Sequence, residues 1–305
     1  MIARGSLREA LAAERPLVTP LAHDALSARL IARAGFRAYT IGGSAMLAAR
    51  YGLPDIGLIG LGDMVDGIRD IAAATPLPFL ADGDDGYGDV KSVVRTVEAY
   101  ETLGVGGILI EDQLRDRKQQ RADRAHGVAD IQVIEQKLRA AMAARNEGGM
   151  LVIGRTDAVG VLGLDVAIDR ARRYLDWGVD GVFVAGLRTR ADFERVGRDL
   201  EGALLSAAMF EGGATPWISP AELGEMGFGH VSFPAALMFR ITDLLAETLA
   251  QLRAYATGAS TFKVLDHADQ ARATLDDALD LSRWQRLDTT FGDTADGNAS
   301  GKGTA

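Results

Sequence analysis

Short runs of β-branched and apolar residues recur along the chain, each followed by a polar loop and a longer stretch whose apolar positions return every three or four residues. The first pattern fits a buried strand and the second an amphipathic helix, so their alternation predicts βα units on a parallel sheet. Eight runs read as strands: Leu17–Ala22, Ala38–Gly43, Phe79–Asp84, Gly107–Asp112, Met150–Asp157, Gly181–Gly186, Ala203–Met209 and His230–Pro234. Helices are expected at Ala25–Ala34, Val90–Leu103, Ile131–Arg145, Val166–Trp177 and Ala235–Tyr255, several of them closed by a glycine (Gly35, Gly104, Gly178). Ser219-Pro220-Ala221-Glu222 has the form of a capping box with proline in the first turn.

Eight parallel strands with helices between them, in about 250 residues, fit an α/β fold of the (β/α)8 TIM-barrel type. A doubly wound sheet usually has fewer strands and a glycine-rich phosphate turn after the first. The barrel is expected over residues 1–258. A helical reading from Thr261 to Leu287 makes 259–288 a C-terminal extension, and from Thr289 the turn to Gly, Thr, Asp, Ser and Asn predicts a disordered tail over 289–305.

Composition narrows the partners. With 33 basic against 42 acidic residues, a formal charge of -9 and no Lys/Arg block, the chain lacks the footprint of a nucleic-acid or anionic-membrane binder, which favours small-molecule chemistry. The absence of cysteine excludes disulfides, thiolate metal sites and a thiol catalyst. The N-terminus has no secretory apolar region and no run approaches the ~20 apolar residues of a membrane span, so a cytoplasmic enzyme is expected.

In a barrel of this type the reacting groups sit at the C-terminal ends of the strands. Strand 3 runs into Asp82-Gly83-Asp84-Asp85-Gly86-Tyr87-Gly88, and strand 4 into Glu111-Asp112. In an extended chain Asp82 and Asp84 point the same way, so both are expected to face one ion. Hard carboxylate oxygens, with no cysteine and no nearby histidine, suit Mg2+ or Mn2+ better than zinc. The same residue types also serve as N-caps in ordinary βα turns. Two successive strands that end in paired acids after wholly apolar runs favour the metal reading. Arg155, at the end of strand 5, offers a fork for a substrate carboxylate or, alternatively, an ion pair with the neighbouring acids. Gly42-Gly43-Ser44 after strand 2 supplies backbone N–H groups unshielded by side chains, suited to a carboxylate or oxyanion, or simply a tight strand-to-helix turn.

Taken together, the segments AHDALSARLIARAGF, IGGSAMLAARYGLPD, DGDDGYGD, GILIEDQ, IGRTDA and FEGGATP resemble, in order, the isocitrate lyase and phosphoenolpyruvate mutase superfamily, from about Leu17 to Tyr255. The resemblance implies a 2-oxo or 2-hydroxy acid chelated to Mg2+. It also implies exchange of the last barrel helix with a partner in a homotetramer built as a dimer of dimers. It places Asp82 on a direct metal ligand, Asp84 on the second aspartate of the metal motif and Glu111 on an acid that holds the metal through water. Arg155 falls on the arginine that pairs with the substrate carboxylate, Gly42 and Gly43 on the backbone cradle, Tyr39 on a tyrosine near the reacting carbon and Asp55 on the aspartate of the LPD motif.

Departures from the family pattern narrow the reaction. Lyases that cut isocitrate, 2-methylisocitrate or dimethylmalate carry K-R-C-G-H on the loop after strand 4. Here Leu114–Gly127 has no thiol, and the asparagine-containing stretch before E-F-G-x-T-P is Ala208-Met209-Phe210. Neither the E-D-K nor the loop asparagine of the phosphonate mutases is present. The Gly-Gly-Ser spacing is similar to that of the oxaloacetate decarboxylases, whereas Phe233-Pro234-Ala235 follows the lyases. The expectation is Mg-dependent C–C cleavage through a pyruvate enolate, decarboxylation of an oxaloacetate-like acid being favoured. A 2-methylisocitrate or dimethylmalate type lyase with a non-cysteine acid, phosphonopyruvate hydrolysis or mutation, and a non-catalytic metabolite-binding barrel are the alternatives. Tyr39, Tyr87 or a metal-bound water is expected to give the proton. His126, the only histidine on that loop, is a candidate that also reads as a solvated loop residue. His23, after strand 1, is a second candidate; His230 is expected at the start of strand 8, at the barrel's bottom, and His267 in the tail.

Overall fold

The computed structural model describes residues 5–118 and 127–292. Eight strands, β1 (Leu17–Ala22), β2 (Tyr39–Ile41), β3 (Phe79–Asp82), β4 (Gly107–Glu111), β5 (Leu151–Thr156), β6 (Gly181–Val184), β7 (Leu204–Ala208) and β8 (Phe228–Phe233), close into a barrel in sequence order. Every pairing is parallel, and β8 returns to β1 with Thr19 opposite Ser232. All eight expected runs contain strands: β1 has the expected bounds, β2 is three residues shorter than expected, and β3 to β7 are one or two residues shorter. Strand β8 differs, because it starts at Phe228 and carries His230 inside the barrel wall instead of at its lower end.

The helices form where the apolar period called for them. Those at Ala25–Arg33 and Val90–Thr102 are capped by Asp24 and Asp89, and Ser219 and Glu222 form the reciprocal capping box in front of Pro220–Glu225. An N-terminal helix, Leu7–Ala13, was not foreshadowed by the strand-helix alternation, since it precedes the first strand.

Side chains alternate inward and outward along each strand, which sorts the barrel interior into layers. The lower layer is apolar: Leu17, Ala38, Leu80, Leu151 and Ile153 pack together with Leu7. Burying each leucine stabilises the fold by about 2 kcal/mol. Above it lies a polar layer in which His230 bridges Thr19 Oγ1 (2.7 Å) and Ser206 Oγ (2.6 Å), and Thr19 in turn meets Thr40 Oγ1 at 2.9 Å. Burial drives the His230 imidazole down to about 4, so it is neutral.

The described residues divide into two compact units between Leu244 and Leu245, the division falling inside the helix Ala236–Ala256. In the second unit the expected Thr261–Leu287 helix is two, Ala268–Ala278 and Leu281–Phe291, broken where Asp280 takes a left-handed φ of 57°. Residues 293–305, most of the expected tail, lie outside the described residues. Among the described residues no helix is long and apolar enough to cross a membrane.

Candidate active site

Strand β3 stops at Asp82 because Gly83 turns inward on β4. The Gly83 N–H donates to the Leu109 carbonyl at 2.8 Å, and a Cβ there would lie 2.7 Å from the same oxygen. Asp84 then adopts φ 44°, donates its N–H to Asp82 Oδ1 at 3.0 Å and accepts the Glu111 N–H at 2.8 Å. Asp82 and Asp84 therefore reach the same region, but through a turn and not by strand alternation. Tyr100 holds this corner from outside by donating its hydroxyl to the Asp82 carbonyl at 2.7 Å.

Asp84 meets Asp55 and Glu111 around one cation that the sequence reading passed over. Lys118 Nζ contacts Asp84 Oδ1 and lies 3.1 Å from Asp55 Oδ1 and 3.6 Å from Glu111 Oε1. Arg115 Nη1 stands 3.4 Å from both Asp84 Oδ2 and Asp85 Oδ1, and Lys137 takes the remaining side of Asp85 at 3.0 Å. The only sequence signal for Lys118 was a basic residue in the loop after an acidic strand end.

The electrostatics follow from crowding in a dry place. Burial pushes the Asp84 carboxyl up to about 6; the Asp82 charge adds to the rise and Lys118 opposes it. Burial also holds Glu111 well above the usual carboxylate range, despite Arg155 and Lys118. For Lys118 burial works the other way, but Glu111, Asp82, Asp84 and Asp55 outweigh it and keep the amine charged.

Arg155 projects from β5 into the same mouth. Its guanidinium lies 2.9 Å from Glu111 Oε2 and 2.8 Å from Asp157 Oδ1, and over the Phe183 ring at 5.5 Å. The ion-pair role is thus realised, while the side chain still lines the cavity. Gly42 caps the helix Gly43–Tyr51 without a side chain, and a Cβ on it would run 2.7 Å from Leu21 Cδ2. Gly43 N–H is not a vacant cradle: it donates to Asp82 Oδ2 at 3.2 Å. Ser44 and Ala45, next in that first turn, face the cavity.

Other expected residues fall elsewhere. Tyr39 is a correction: Thr40 faces the cavity, so its neighbour Tyr39 points to the helix layer, fully buried and stacked on Phe79 with ring centroids 5.1 Å apart. Tyr87 is another, its hydroxyl lying 3.2 Å from that of Tyr100 and 3.4 Å from the Asp82 carbonyl. His23 is buried beside Asp24, 3.7 Å away, and does not line the cavity. His126 lies outside the described residues.

The cavity, about 600 Å³, has a mixed lining. Its charged members are Asp55, Asp82, Lys118, Arg155, Asp157 and Arg188, and its apolar members include Val161, Phe183, Leu187, Phe210, Met238 and Phe239. Among the described residues no three acids or histidines converge as a ready-made metal cage. The carboxylates converge instead on the Lys118 ammonium, a monovalent stand-in at a point lined by hard oxygens, and this donor set fits Mg2+ or Mn2+.

The family described as phosphoenolpyruvate phosphomutase matches residues 7–253. A probable 2-methylisocitrate lyase of Corynebacterium glutamicum is 36% identical over 254 residues, covering 83% of each chain. An oxaloacetate decarboxylase of Bradyrhizobium sp. is 35% identical, covering 82% of this chain and 85% of its own. Among solved structures, an oxaloacetate acetylhydrolase in complex with the inhibitor 3,3-difluorooxalacetate superposes with a TM-score of 0.86 at 30% identity, covering 95% of this chain and 97% of that one.

Proposed function

The chain belongs to the phosphoenolpyruvate mutase/isocitrate lyase superfamily, and from that premise we propose that it cleaves a C–C bond beside the carbonyl of a small 2-oxo acid, with decarboxylation of an oxaloacetate-like substrate favoured. The observation that carries this reading is that one cavity brings together the charged residues Asp82, Asp157 and Arg155 with the apolar side chains Leu187, Phe210, Met238 and Phe239.

A divalent cation held by Asp82, Asp84 and Glu111 would supply Lewis-acid polarisation of the 2-oxo group. Arg155, held by Glu111 and Asp157 at the cavity lining, offers its positive charge to the C1 carboxylate. Ser44 and Ala45, in the first turn of the helix Gly43–Tyr51, lie at the N-terminal, positive end of the helix dipole beside the developing oxyanion. The C4 carboxylate is then placed among the apolar lining residues Phe210, Met238 and Phe239, where loss of water weakens its charged form. Breaking C3–C4 releases CO2 and leaves the electron pair in the C2–C3 enolate; one proton added at C3 gives pyruvate. Because Tyr39 and Tyr87 are both turned from the cavity, that proton comes from water or from the Lys118 ammonium.

The apolar part of the lining favours one second reading, retro-aldol cleavage of a branched 2-hydroxy diacid whose alkyl groups pack there. Assembly is part of the proposal. The helix Ala236–Ala256 has no buried residue although it carries Phe239, Ile241, Leu244 and Leu249, and this uncovered apolar surface supports the reading of a second copy in a helix-exchanged tetramer as its cover. Light scattering at the mass of four chains supports this, and a single 32.4 kDa mass refutes it.

Pyruvate release from oxaloacetate, 2-methylisocitrate, citramalate, dimethylmalate and phosphonopyruvate, with Mg2+ and with EDTA, tests the function. EDTA-sensitive turnover of oxaloacetate above the protein-free rate supports decarboxylation. Turnover confined to a branched hydroxy diacid selects the second reading, and silence on all five rejects both.

A further inference from the structure

Lys118 has no place in the metal reading as the acids alone would state it. Its ammonium is nonetheless the most thoroughly coordinated cation in the mouth. The side chain is 9% exposed, and its partners Asp84 and Glu111 are 4% and 3% exposed. Three carboxylates approach it, from the loop after the helix Gly43–Tyr51 (Asp55), from the turn after β3 (Asp84) and from the end of β4 (Glu111). Two of them, Asp84 and Glu111, belong to the acid set that would take a divalent ion, and the point where they meet Asp55 is filled by a side chain of this chain.

We propose that Lys118 is a built-in competitor for the divalent cation: its ammonium neutralises the cluster in the metal-free protein and must withdraw before the ion can bind. The inference rests on the reading of the cluster as a divalent site. An ammonium and a divalent cation in contact with the same two carboxylates, Asp84 and Glu111, repel each other across a site shielded from water, which disfavours joint occupancy. The exchange has two consequences. The apparent metal affinity is lowered by the fraction of molecules in which Lys118 holds the acids. Metal binding also frees an ammonium, directly beyond the short turn Arg115–Arg117, to turn toward the substrate side of the cavity that it already lines.

Arg115 and Lys137 differ from Lys118 in position. Both neutralise Asp85, and Lys137 also donates to the Asp85 carbonyl at 2.7 Å, away from the shared point. A general loss of positive charge and a specific loss of the competitor are therefore separable.

The test is Mn2+ binding to the full chain, followed by the paramagnetic signal of the free ion, for wild type, Lys118→Met and Lys137→Met. The expected result is a dissociation constant at least tenfold lower for Lys118→Met and within twofold of wild type for Lys137→Met. Equal or weaker binding by Lys118→Met overturns the exchange while leaving the metal site intact. An equal gain in both variants overturns it in favour of simple charge. No binding by any of the three proteins removes the divalent site and the proposal with it. A second measurement needs no variant: reductive methylation of wild type, read peptide by peptide, with exposed Lys91 as the internal reference. Saturating Mn2+ should raise Lys118 labelling at least tenfold relative to Lys91, and unchanged or reduced labelling refutes the withdrawal.

Discussion

Glu111 and Asp112 are adjacent acids at the end of β4, and the structure puts them in two opposite kinds of place. Glu111 faces the barrel mouth among Arg155, Lys118 and Asp84, where burial holds its carboxyl well above the usual range. Asp112 faces the helix layer and is saturated. It accepts from Thr156 Oγ1 (2.7 Å), Tyr174 OH (2.8 Å), Arg170 Nη1 (3.0 Å) and the Asp157 N–H (2.8 Å). The difference separates two uses of a buried charge. Around Asp112 every lone pair is matched, which locks β4 to β5 and to the helix Leu164–Asp176. Around Glu111 carboxylates are crowded together with Lys118 and Arg155 between them, the condition for binding and chemistry at a cost in stability.

Substitutions that keep shape and change charge sharpen this contrast. Asp112→Asn leaves Arg170 without its anion and sets an amide against donor hydroxyls. We expect a loss of about 3–5 kcal/mol and a fall in Tm of roughly 10 °C, with activity per folded molecule reduced far less than by any change in the mouth. Glu111→Gln is expected to do the reverse, lowering kcat/KM by about 10²–10³-fold while Tm stays level or rises, as the crowding of like charges is relieved. Thermal melts and kinetics on the same two preparations decide the matter. Equal stability losses would break the comparison.

The split between the two regions was only partly visible in the sequence. The alternation of strand and helix gave the barrel, because parallel βα units leave a period that local physics enforces. The acids at the strand ends gave the cluster, since position along a barrel strand is read directly from sequence order. Three features were not legible. Asp84 reaches the mouth through a left-handed residue, which an extended reading cannot anticipate. Tyr39 was assigned to the cavity by its place in a motif, yet the inward register belongs to Thr40, and a one-residue register choice moves every side chain to the other face. Lys118 enters from a loop, and no periodicity reports where a loop cation will land.

His230 belongs with Asp112, as a polar group satisfied within the packing. Its folded pKa, near 4, is below the 6.5 of an unfolded histidine. The unfolded chain therefore takes up the proton first as pH falls, so stability is full above about pH 6.5 and is lost between there and pH 4, by up to about 3 kcal/mol. Urea midpoints across that range should show the loss, and His230→Gln should flatten it. Tyr39→Phe is the mildest change, expected to cost about 1 kcal/mol and to leave kcat within twofold. A hundredfold loss of kcat would return Tyr39 to the cavity.

The central claim, that chemistry resides in the carboxylate mouth, is tested most directly by Asp82→Ala. The measurement is pyruvate release from oxaloacetate at saturating Mg2+, with the protein-free metal rate subtracted, beside a thermal melt of the same sample. The account predicts turnover by the wild-type protein that EDTA abolishes, and release at background for an Asp82→Ala protein that still melts cooperatively near the wild-type temperature. Undiminished release from the folded variant would contradict it.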